Sequence, residues 1–257
     1  ALKARGIMPT LAIVRLGARQ DDLAYERGAV KRCEGVGIQC KVFEYPQDMT
    51  QESLIESIKK LNEDPSIHGI LIFRPLPDQI DENVIKYVIA PEKDVDCFSP
   101  VNVAKVFEGD PNGFAPCTPE AVIEMLDHYK IPIEGKRVVV IGRSMVVGKP
   151  VSMLLVKRNG TVTICHTRTR NLEETCRGAE ILVAAAGKAK MVKGTFVAKD
   201  AVVVDVGINV DEEGRLCGDV DFDEVEKIAG YISPVPGGVG SVTTSVLARH
   251  VIQAAGR

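Results

Sequence analysis

The sequence has no apolar run approaching the roughly 20 residues of a membrane-spanning helix, no block of like charges and no Cys-x-x-Cys pair. The first absence argues against a helical membrane protein. The second, with 32 Lys+Arg interspersed among 35 Asp+Glu, removes any mark of a nucleic-acid or anionic-membrane surface. The seven cysteines (Cys33, Cys40, Cys97, Cys117, Cys165, Cys176, Cys217) are an odd, scattered set, and none stands at zinc-ligand spacing from one of the four histidines; Cys165 and His166 are merely adjacent. No metal site is expected, and reduced thiols point to the cytoplasm. The opening Ala1-Leu2-Lys3-Ala4-Arg5-Gly6 contains nothing of signal-peptide type, so no targeting segment is read.

What is present is an ordinary globular composition, 45% hydrophobic and 26% charged over 257 residues, enough for one large domain or two small ones. Short β-branched runs alternate with amphipathic stretches, the pattern of βαβ units around a parallel sheet. In the first half the strands read Thr10 to Leu16, Cys40 to Glu44 and His68 to Phe73, with helices over Asp21 to Val36 and Gln51 to Leu61. In the second half they read Arg137 to Ile141, Thr161 to Cys165, Ile181 to Ala185 and Ala201 to Val206, apolar on both faces as in a sheet covered on both sides. Phe107 to Gly113 is turn-rich, and Pro116-Cys117-Thr118-Pro119 opens a helix through Met125, with the domain boundary near Thr118.

After the strand ending at Ile141 comes Gly142-Arg143-Ser144-Met145-Val146-Val147-Gly148-Lys149-Pro150, then a helical stretch from Val151 to Lys157. A glycine turn between strand and helix aims backbone N–H groups and the helix dipole at one spot, which suits a phosphate, although the spacing is not Gly-x-Gly-x-x-Gly. About 24 residues further on, where a NAD-binding unit often places an acidic residue for the ribose hydroxyls, the chain reads His166-Thr167-Arg168-Thr169-Arg170 with no carboxylate. Arg143 with Arg168 or Arg170 can take a 2′-phosphate, which tilts the reading toward NADP over NAD.

The combination then becomes specific: Pro75-Leu76-Pro77, Lys93-Asp94-Val95-Asp96, Pro116-Cys117-Thr118-Pro119, Gly142-Arg143-Ser144 with Val147-Gly148 and Pro150, Gly207-Ile208-Asn209, and Pro234-Val235-Pro236-Gly237-Gly238-Val239-Gly240. In that order and spacing these segments closely resemble the methylenetetrahydrofolate dehydrogenase/methenyltetrahydrofolate cyclohydrolase family, from about Pro9 to the C-terminus. Relative to the family pattern the chain begins short of a first helix.

The resemblance implies an α/β protein of two domains: an N-terminal three-layer α/β folate domain, residues 1–117 completed by 240–257, and a Rossmann-like NAD(P)-binding domain over 118–239. It also implies a homodimer, an active-site cleft between the domains, and a tetrahydrofolate derivative as substrate. The family passes a hydride from 5,10-methylenetetrahydrofolate to NADP or NAD and then hydrolyses the methenyl cation to 10-formyltetrahydrofolate.

Carried over residue by residue, Tyr25 matches the tyrosine lining the folate pocket and Asp96 the aspartate that hydrogen-bonds the pterin. Pro236, Gly237 and Gly238 match the loop over folate and nicotinamide. Gly142, Arg143, Ser144, Gly148, Thr167, Arg168, Ile208 and Asn209 match cofactor contacts.

The chain departs from the family at one end of the pocket. The family lysine four residues after the tyrosine is Ala29, and the glutamine before Leu-Pro-Leu-Pro is Phe73. Lys31, six residues from Tyr25, projects about 120° away around a helix and is no substitute. The family serine three residues before the tyrosine is Asp22, and the glycine after the aspartate is Cys97. Hydride transfer depends chiefly on positioning, whereas hydrolysis needs general acid–base work that Ala29 and Phe73 lack.

The expectation is a dehydrogenase with weak or lost cyclohydrolase activity, working beside a separate cyclohydrolase. The alternatives are the bifunctional enzyme, with Arg74, Asp22 or Cys97 as a substitute relay, and a non-catalytic folate- or nucleotide-binding protein. A Rossmann dehydrogenase of small hydroxy or keto acids would leave the Lys93 to Asp96 and Pro234 to Gly240 segments unexplained.

Overall fold

The computed structural model describes residues 2–257, the side chain of Lys3 apart. Its strands are β1 (Thr10–Leu16), β2 (Gln39–Tyr45), β3 (Gly69–Ile72), β4 (Arg137–Ile141), β5 (Thr161–Cys165), β6 (Ile181–Ala184), β7 (Val202–Asp205), β8 (Asn209–Val210), β9 (Leu216–Cys217) and β10 (Tyr231–Ile232). The helices are α1 (Gln20–Gly35), α2 (Gln51–Glu63), α3 (Glu82–Ile85), α4 (Pro100–Glu108), α5 (Cys117–His128), α6 (Gly148–Lys157), α7 (Leu172–Arg177), α8 (Phe222–Val225) and α9 (Val239–Gly256). The chain forms two compact units: one runs to Cys117 and takes up the chain again at Thr244–Arg257, the other is Thr118–Thr243.

In the first unit the sheet order is β2-β1-β3, all parallel, with Thr10 opposite Gln39 and Leu11 opposite Gly69. Parallel neighbours need a crossover, and α1 and α2 supply the two that the alternating sequence pattern predicts. β1 is central and buried along its whole length, which is why it reads as a near-continuous apolar run. α2 starts at Thr50, whose Oγ1 accepts the Ser53 N–H at 3.3 Å, and it buries Leu54, Ile58 and Leu61 at helical spacing. α1 buries only Ala29 and Cys33, so this helix is held by other means.

Arg15 supplies them. It is the one charged residue of the buried strand β1; Nε donates to Glu26 of α1 at 2.9 Å, Nη2 pairs with Glu44 of β2 at 3.0 Å, and Nη1 donates to the Gly17 carbonyl. A guanidinium with its planar fork occupied ties strand, helix and edge strand together.

Beyond α3 the chain returns to the sheet as a single step. Ile70 pairs in parallel with Asp94, its N–H donating to the Lys93 carbonyl at 2.6 Å. Gly69 permits this approach: a Cβ there would stand 2.8 Å from Val95 Cγ1 and 3.1 Å from Val251 Cγ2. The buried Asp94 carboxylate then accepts N–H groups of Phe98 and Ser99, each at 2.8 Å, and Asn102 Nδ2 at 2.9 Å. These bonds launch α4, which opens with Ser99 as cap and Pro100 in the first turn. The turn-rich reading of Phe107 to Gly113 is thereby corrected at its start, because α4 continues through Glu108 and ends at Gly109 with φ +74°.

The second unit holds a five-stranded parallel sheet of order β10-β7-β6-β4-β5, a Rossmann-like arrangement. Its core is built from Val139, Ile141, Leu182, Ala184 and Val203 with residues of the covering helices. Neither the two-residue strand β10 nor the antiparallel hairpin β8–β9 carries a periodic signal long enough to read in sequence. The carboxyl ends of β4, β5, β6 and β7 bring the segments after Ile141, Cys165, Ala184 and Asp205 to one edge, where ligands of open α/β sheets sit. Among the described residues no helix is long and apolar enough to cross a membrane.

Removing Arg15 leaves the Glu26 carboxylate half-buried without its cation. Arg15→Leu is expected to lose about 3 kcal/mol of stability, read as a lowered urea midpoint of the first unfolding transition; an unchanged midpoint would show that α1 is held without it.

Candidate active site

In the first unit the candidate site is built on α1, the end of β3 and the Asp94 loop. Residues four apart on a helix advance about 40° past a full turn, so Tyr25, Ala29 and Cys33 share one face of α1. Ala29 and Cys33 are wholly buried and Tyr25 is half-buried. The Tyr25 ring packs against that of Phe73, with centroids 5.7 Å apart and planes inclined 60°. Burial first, then the negative charge of Asp96, pushes the Tyr25 hydroxyl well above its ordinary range. Tyr25 is therefore a phenol, a hydrogen-bond donor, throughout the working pH range.

Asp96 is half-buried, and one oxygen accepts the Cys117 N–H at 2.8 Å. The preceding Val95 carbonyl accepts His250 Nδ1 of α9 at 2.9 Å and Cys117 Sγ at 3.4 Å. The loop carrying Asp96 is thus held through Cys117 and His250.

Of the positions that depart from the family pattern, Ala29 and Phe73 are apolar and Asp22 carries a charge. Ala29 is sealed in the core, Phe73 lies on Tyr25, and Lys31 is exposed, as its helical angle predicts. Asp22 is held by Arg19 through two contacts of 2.8 Å, and Arg19 also donates to the Arg74 carbonyl at 3.1 Å. The Arg74 guanidinium lies 4.7 Å from the Phe98 ring centroid. Cys97 has φ +58°, the left-handed conformation that explains a glycine in the family pattern, and burial drives its thiol pKa far upward. Asp22 and Cys97 are therefore poorly suited to relay protons.

In the second unit Gly142, Arg143, Ser144 and Gly148 form one turn between β4 and α6. Gly142 has φ +128°, and a Cβ there would stand 2.1 Å from the Ala185 carbonyl oxygen; one on Gly148 would stand 2.2 Å from the Gly142 oxygen. Both positions are closed to any side chain. Ser144 Oγ accepts the Val147 N–H at 3.1 Å, closing the turn at the start of α6. The turn after β5 sits on the neighbouring strand and is shaped by its own side chains: His166 N–H donates to Thr169 Oγ1 at 2.8 Å and Arg168 N–H to His166 Nδ1 at 3.1 Å. Arg143, Thr167, Arg168 and Arg170 are all exposed.

Ile208 and Asn209 lie after β7, two strands from the glycine turn. Ile208 is 70% exposed, open to a flat apolar ligand, while Asn209 Nδ2 donates to Asp219 Oδ1 at 2.9 Å. Pro236, Gly237 and Gly238 line a cavity of about 210 Å³ with Asp205 to Ile208, Leu216 and Ser241. A larger cavity, about 460 Å³, lies at the amino end of the same sheet near Lys136, Glu180 and Tyr231 and contains none of these residues. Among the described residues no group of three or more His, Cys, Asp or Glu is placed to hold a metal ion.

Sequence reasoning missed the two carboxylates that hold this edge. Asp219 is wholly buried and accepts the N–H groups of Ala186, Gly187 and Lys188 at 2.6, 3.0 and 2.8 Å. Asp205 accepts those of Gly207, Asp219 and Val220 at 2.9, 3.0 and 2.9 Å, while its own N–H donates to Ser233 Oγ at 2.8 Å. The available signal was Gly207 and Gly218, where a Cβ would collide with Asp219 and Asp205 respectively. Burial outweighs the three hydrogen bonds and pushes Asp205 up to about 6.

Fold and site define a two-unit α/β protein with a dinucleotide-type glycine turn in one unit and, in the other, a tyrosine within electrostatic reach of an aspartate. The chain belongs to the tetrahydrofolate dehydrogenase/cyclohydrolase family: residues 1–96 match the family's catalytic domain and residues 116–257 its NAD(P)-binding domain. It is 62% identical over 253 residues to the bifunctional protein FolD of Alkaliphilus oremlandii, covering 98% of this chain and 89% of that one. It is 60% identical to FolD of Clostridioides difficile, covering 98% and 88%. Among solved structures, the bifunctional FolD of Campylobacter jejuni superposes with a TM-score of 0.97 at 41% identity, covering 99% of this chain and 90% of that one. The Trypanosoma brucei enzyme, solved with NADP and an inhibitor, gives 0.94 at 39%, covering 99% and 89%.

Two substitutions test the second unit. Gly142→Ala is expected to cost about 4 kcal/mol or more, read as loss of the second unit's thermal transition. Asp205 has a folded pKa of about 6 against 3.8 for the free side chain, so its contribution to stability is full below about pH 4 and lost as pH rises through about 6. Relative to Asp205→Asn, the wild type should therefore lose about 3 kcal/mol between those limits, measured by urea titration at a series of pH values; a difference independent of pH would refute the assignment.

Proposed function

We propose that this chain oxidises 5,10-methylenetetrahydrofolate to the methenyl cation with NADP as hydride acceptor and hydrolyses that cation to 10-formyltetrahydrofolate. The observation that carries this reading is the match of both halves to one family, with relatives named bifunctional over 98% of the chain. It replaces the expectation of a weakened cyclohydrolase, which rested on Ala29 and Phe73 together with the changes at Asp22 and Cys97.

In this reading the unit running to Cys117 with Thr244–Arg257 binds folate and Thr118–Thr243 binds the cofactor. The free oxygen of Asp96 takes the pterin's ring N–H and amino donors, and the Tyr25 and Phe73 rings provide an apolar surface for its flat system. The closed glycine turn at Gly142 and Gly148 fits a phosphate, whose charge meets backbone N–H groups and the start of α6. Arg143, Arg168 and Arg170, with no carboxylate after β5, favour a 2′-phosphate and hence NADP over NAD; the NADP in the Trypanosoma brucei relative accords with this. Ile208, Asn209 and the Pro236 to Gly238 loop border the cofactor.

When bound, the nicotinamide accepts the hydride, and the chain contributes orientation and exclusion of water. Proton handling in the hydrolysis falls to the Tyr25 hydroxyl and the Asp96 carboxylate. The enzyme works as a cytoplasmic homodimer.

A second reading is favoured by one specific observation. The family lysine and glutamine positions are the sealed Ala29 and the ring-packed Phe73, which makes this end of the pocket apolar. On that reading the dehydrogenase stands alone and a separate cyclohydrolase takes its product.

A spectral time course with 5,10-methylenetetrahydrofolate and NADP, repeated with NAD, following reduced nicotinamide and the methenyl chromophore together, separates the two. Under the first reading methenyl product disappears at least about tenfold faster than in an enzyme-free control. Accumulation in step with reduced cofactor, with decay only at the control rate, would establish the second reading instead, and no cofactor reduction at all would remove both.

A further inference from the structure

His250 is a buried histidine to which the proposed reaction gives no role. It lies on α9, in the part of that helix that belongs to the first unit. Its ring packs on the buried Phe114 ring, with centroids 5.1 Å apart and planes inclined 45°. Phe114 in turn carries the Arg257 guanidinium, 4.4 Å from its centroid. The imidazole is thereby held in place with Nδ1 2.9 Å from the Val95 carbonyl oxygen. A carbonyl can only accept, so Nδ1 carries the proton in this contact.

That carbonyl belongs to the peptide joining Val95 to Asp96. A peptide unit is planar, so a bond that fixes its oxygen also fixes the direction in which the Asp96 Cα leaves it. The other grip on this oxygen is Cys117 Sγ at 3.4 Å, and a thiol is a weak donor. The imidazole is therefore the stronger of the two. Its neighbour on α9, Val251, stands with Val95 over Gly69 of β3. Two successive residues of α9 thus meet this stretch of chain, one by packing and one by a directed hydrogen bond.

We propose that His250 is a positioning residue for folate binding: its Nδ1–H holds the Val95–Asp96 peptide so that the Asp96 carboxylate faces the pterin. This rests on the reading of Asp96 as the pterin's partner. A carboxylate that must meet a ring N–H and an amino group together tolerates little rotation, because hydrogen bonds weaken steeply as they leave linearity. Without the imidazole donor the buried Val95 carbonyl is left with the thiol, and the peptide is free to turn toward another donor. His250, Val95, Asp96 and Cys117 all belong to the first unit, so the effect is confined to folate and spares NADP.

His250→Phe keeps a ring against Phe114 and removes the donor; in His250→Asn the side-chain amide can donate from the place of Nδ1. The intact protein is titrated calorimetrically with tetrahydrofolate in the absence of oxygen, and KM is measured for 5,10-methylenetetrahydrofolate and for NADP. His250→Phe should raise the Kd for tetrahydrofolate and the KM for 5,10-methylenetetrahydrofolate roughly tenfold, with the KM for NADP within about twofold of wild type. His250→Asn should recover most of the loss. In an Asp96→Asn background the same His250→Phe change should cost no more than about twofold, because the group it positions is already altered.

Unchanged tetrahydrofolate affinity in His250→Phe, an equal loss for NADP, or an asparagine variant no better than the phenylalanine one would overturn the proposal. If His250→Phe does not fold, His250→Leu takes its place, and failure of both to fold would show a purely structural role and overturn it as well. A wild-type protein that binds no tetrahydrofolate would remove the folate reading itself and this inference with it. That failure is seen before any substitution is made, so the two are distinguishable.

Discussion

A buried carboxylate that gathers backbone N–H groups is the interaction on which both candidate sites depend. In the first unit Asp94 accepts two N–H groups and an amide from the segment ahead of it, which sets the loop between β3 and α4 and so the position of Asp96. In the second unit Asp219 gathers the segment after β6 and Asp205 the segments after β7 and β9. An anion without water is stable only when its lone pairs are filled. The chain must therefore fold around each carboxylate in one way, and the rigidity passes to the neighbouring loops. The glycines of these loops follow from the same demand, since Gly207 and Gly218 leave room for the two carboxylates themselves.

Against this rigid frame, the pocket around Tyr25 has exchanged polar groups for apolar ones. Ala29 joins the core of its unit, and Phe73 converts the face beside Tyr25 from hydrogen bonding to ring packing. An apolar face suits hydride transfer, which gains from a dry, well-positioned donor. On the proposed reading, any hydrolytic proton transfer falls to Tyr25 and Asp96. Tyr25 is a donor of fixed protonation because burial and the nearby carboxylate keep its proton on.

Much of the fold was legible because long periodic segments dominate it. The strands around Ile13, Val139 and Leu182 are short apolar runs flanked by turn residues, and α2 repeats its buried residues at helical spacing. α4 was missed because its start is set by Asp94, Ser99 and Pro100 rather than by a strong apolar stripe. β10 has two residues, and its place beside β7 is consolidated by Ser233 bonding to Asp205 from a distant part of the chain. Within the sites, Gly142, Gly148 and the missing carboxylate after β5 were readable because each is a local constraint. Asp205 and Asp219 looked like strand-end and loop polar residues, and only their long-range partners distinguish them.

The sequence by itself determined the alternation of strand and helix, the glycine turn, the arginine-rich segment after β5, and the replacement of a lysine and a glutamine by Ala29 and Phe73. Each of these is a matter of residue type at short spacing. Only the tertiary structure decided that Phe73 lies on Tyr25, that Asp22 is claimed by Arg19, and that Cys97 occupies a left-handed backbone position. These depend on which surfaces pack together, because the position of a side chain is set by neighbours far away in sequence.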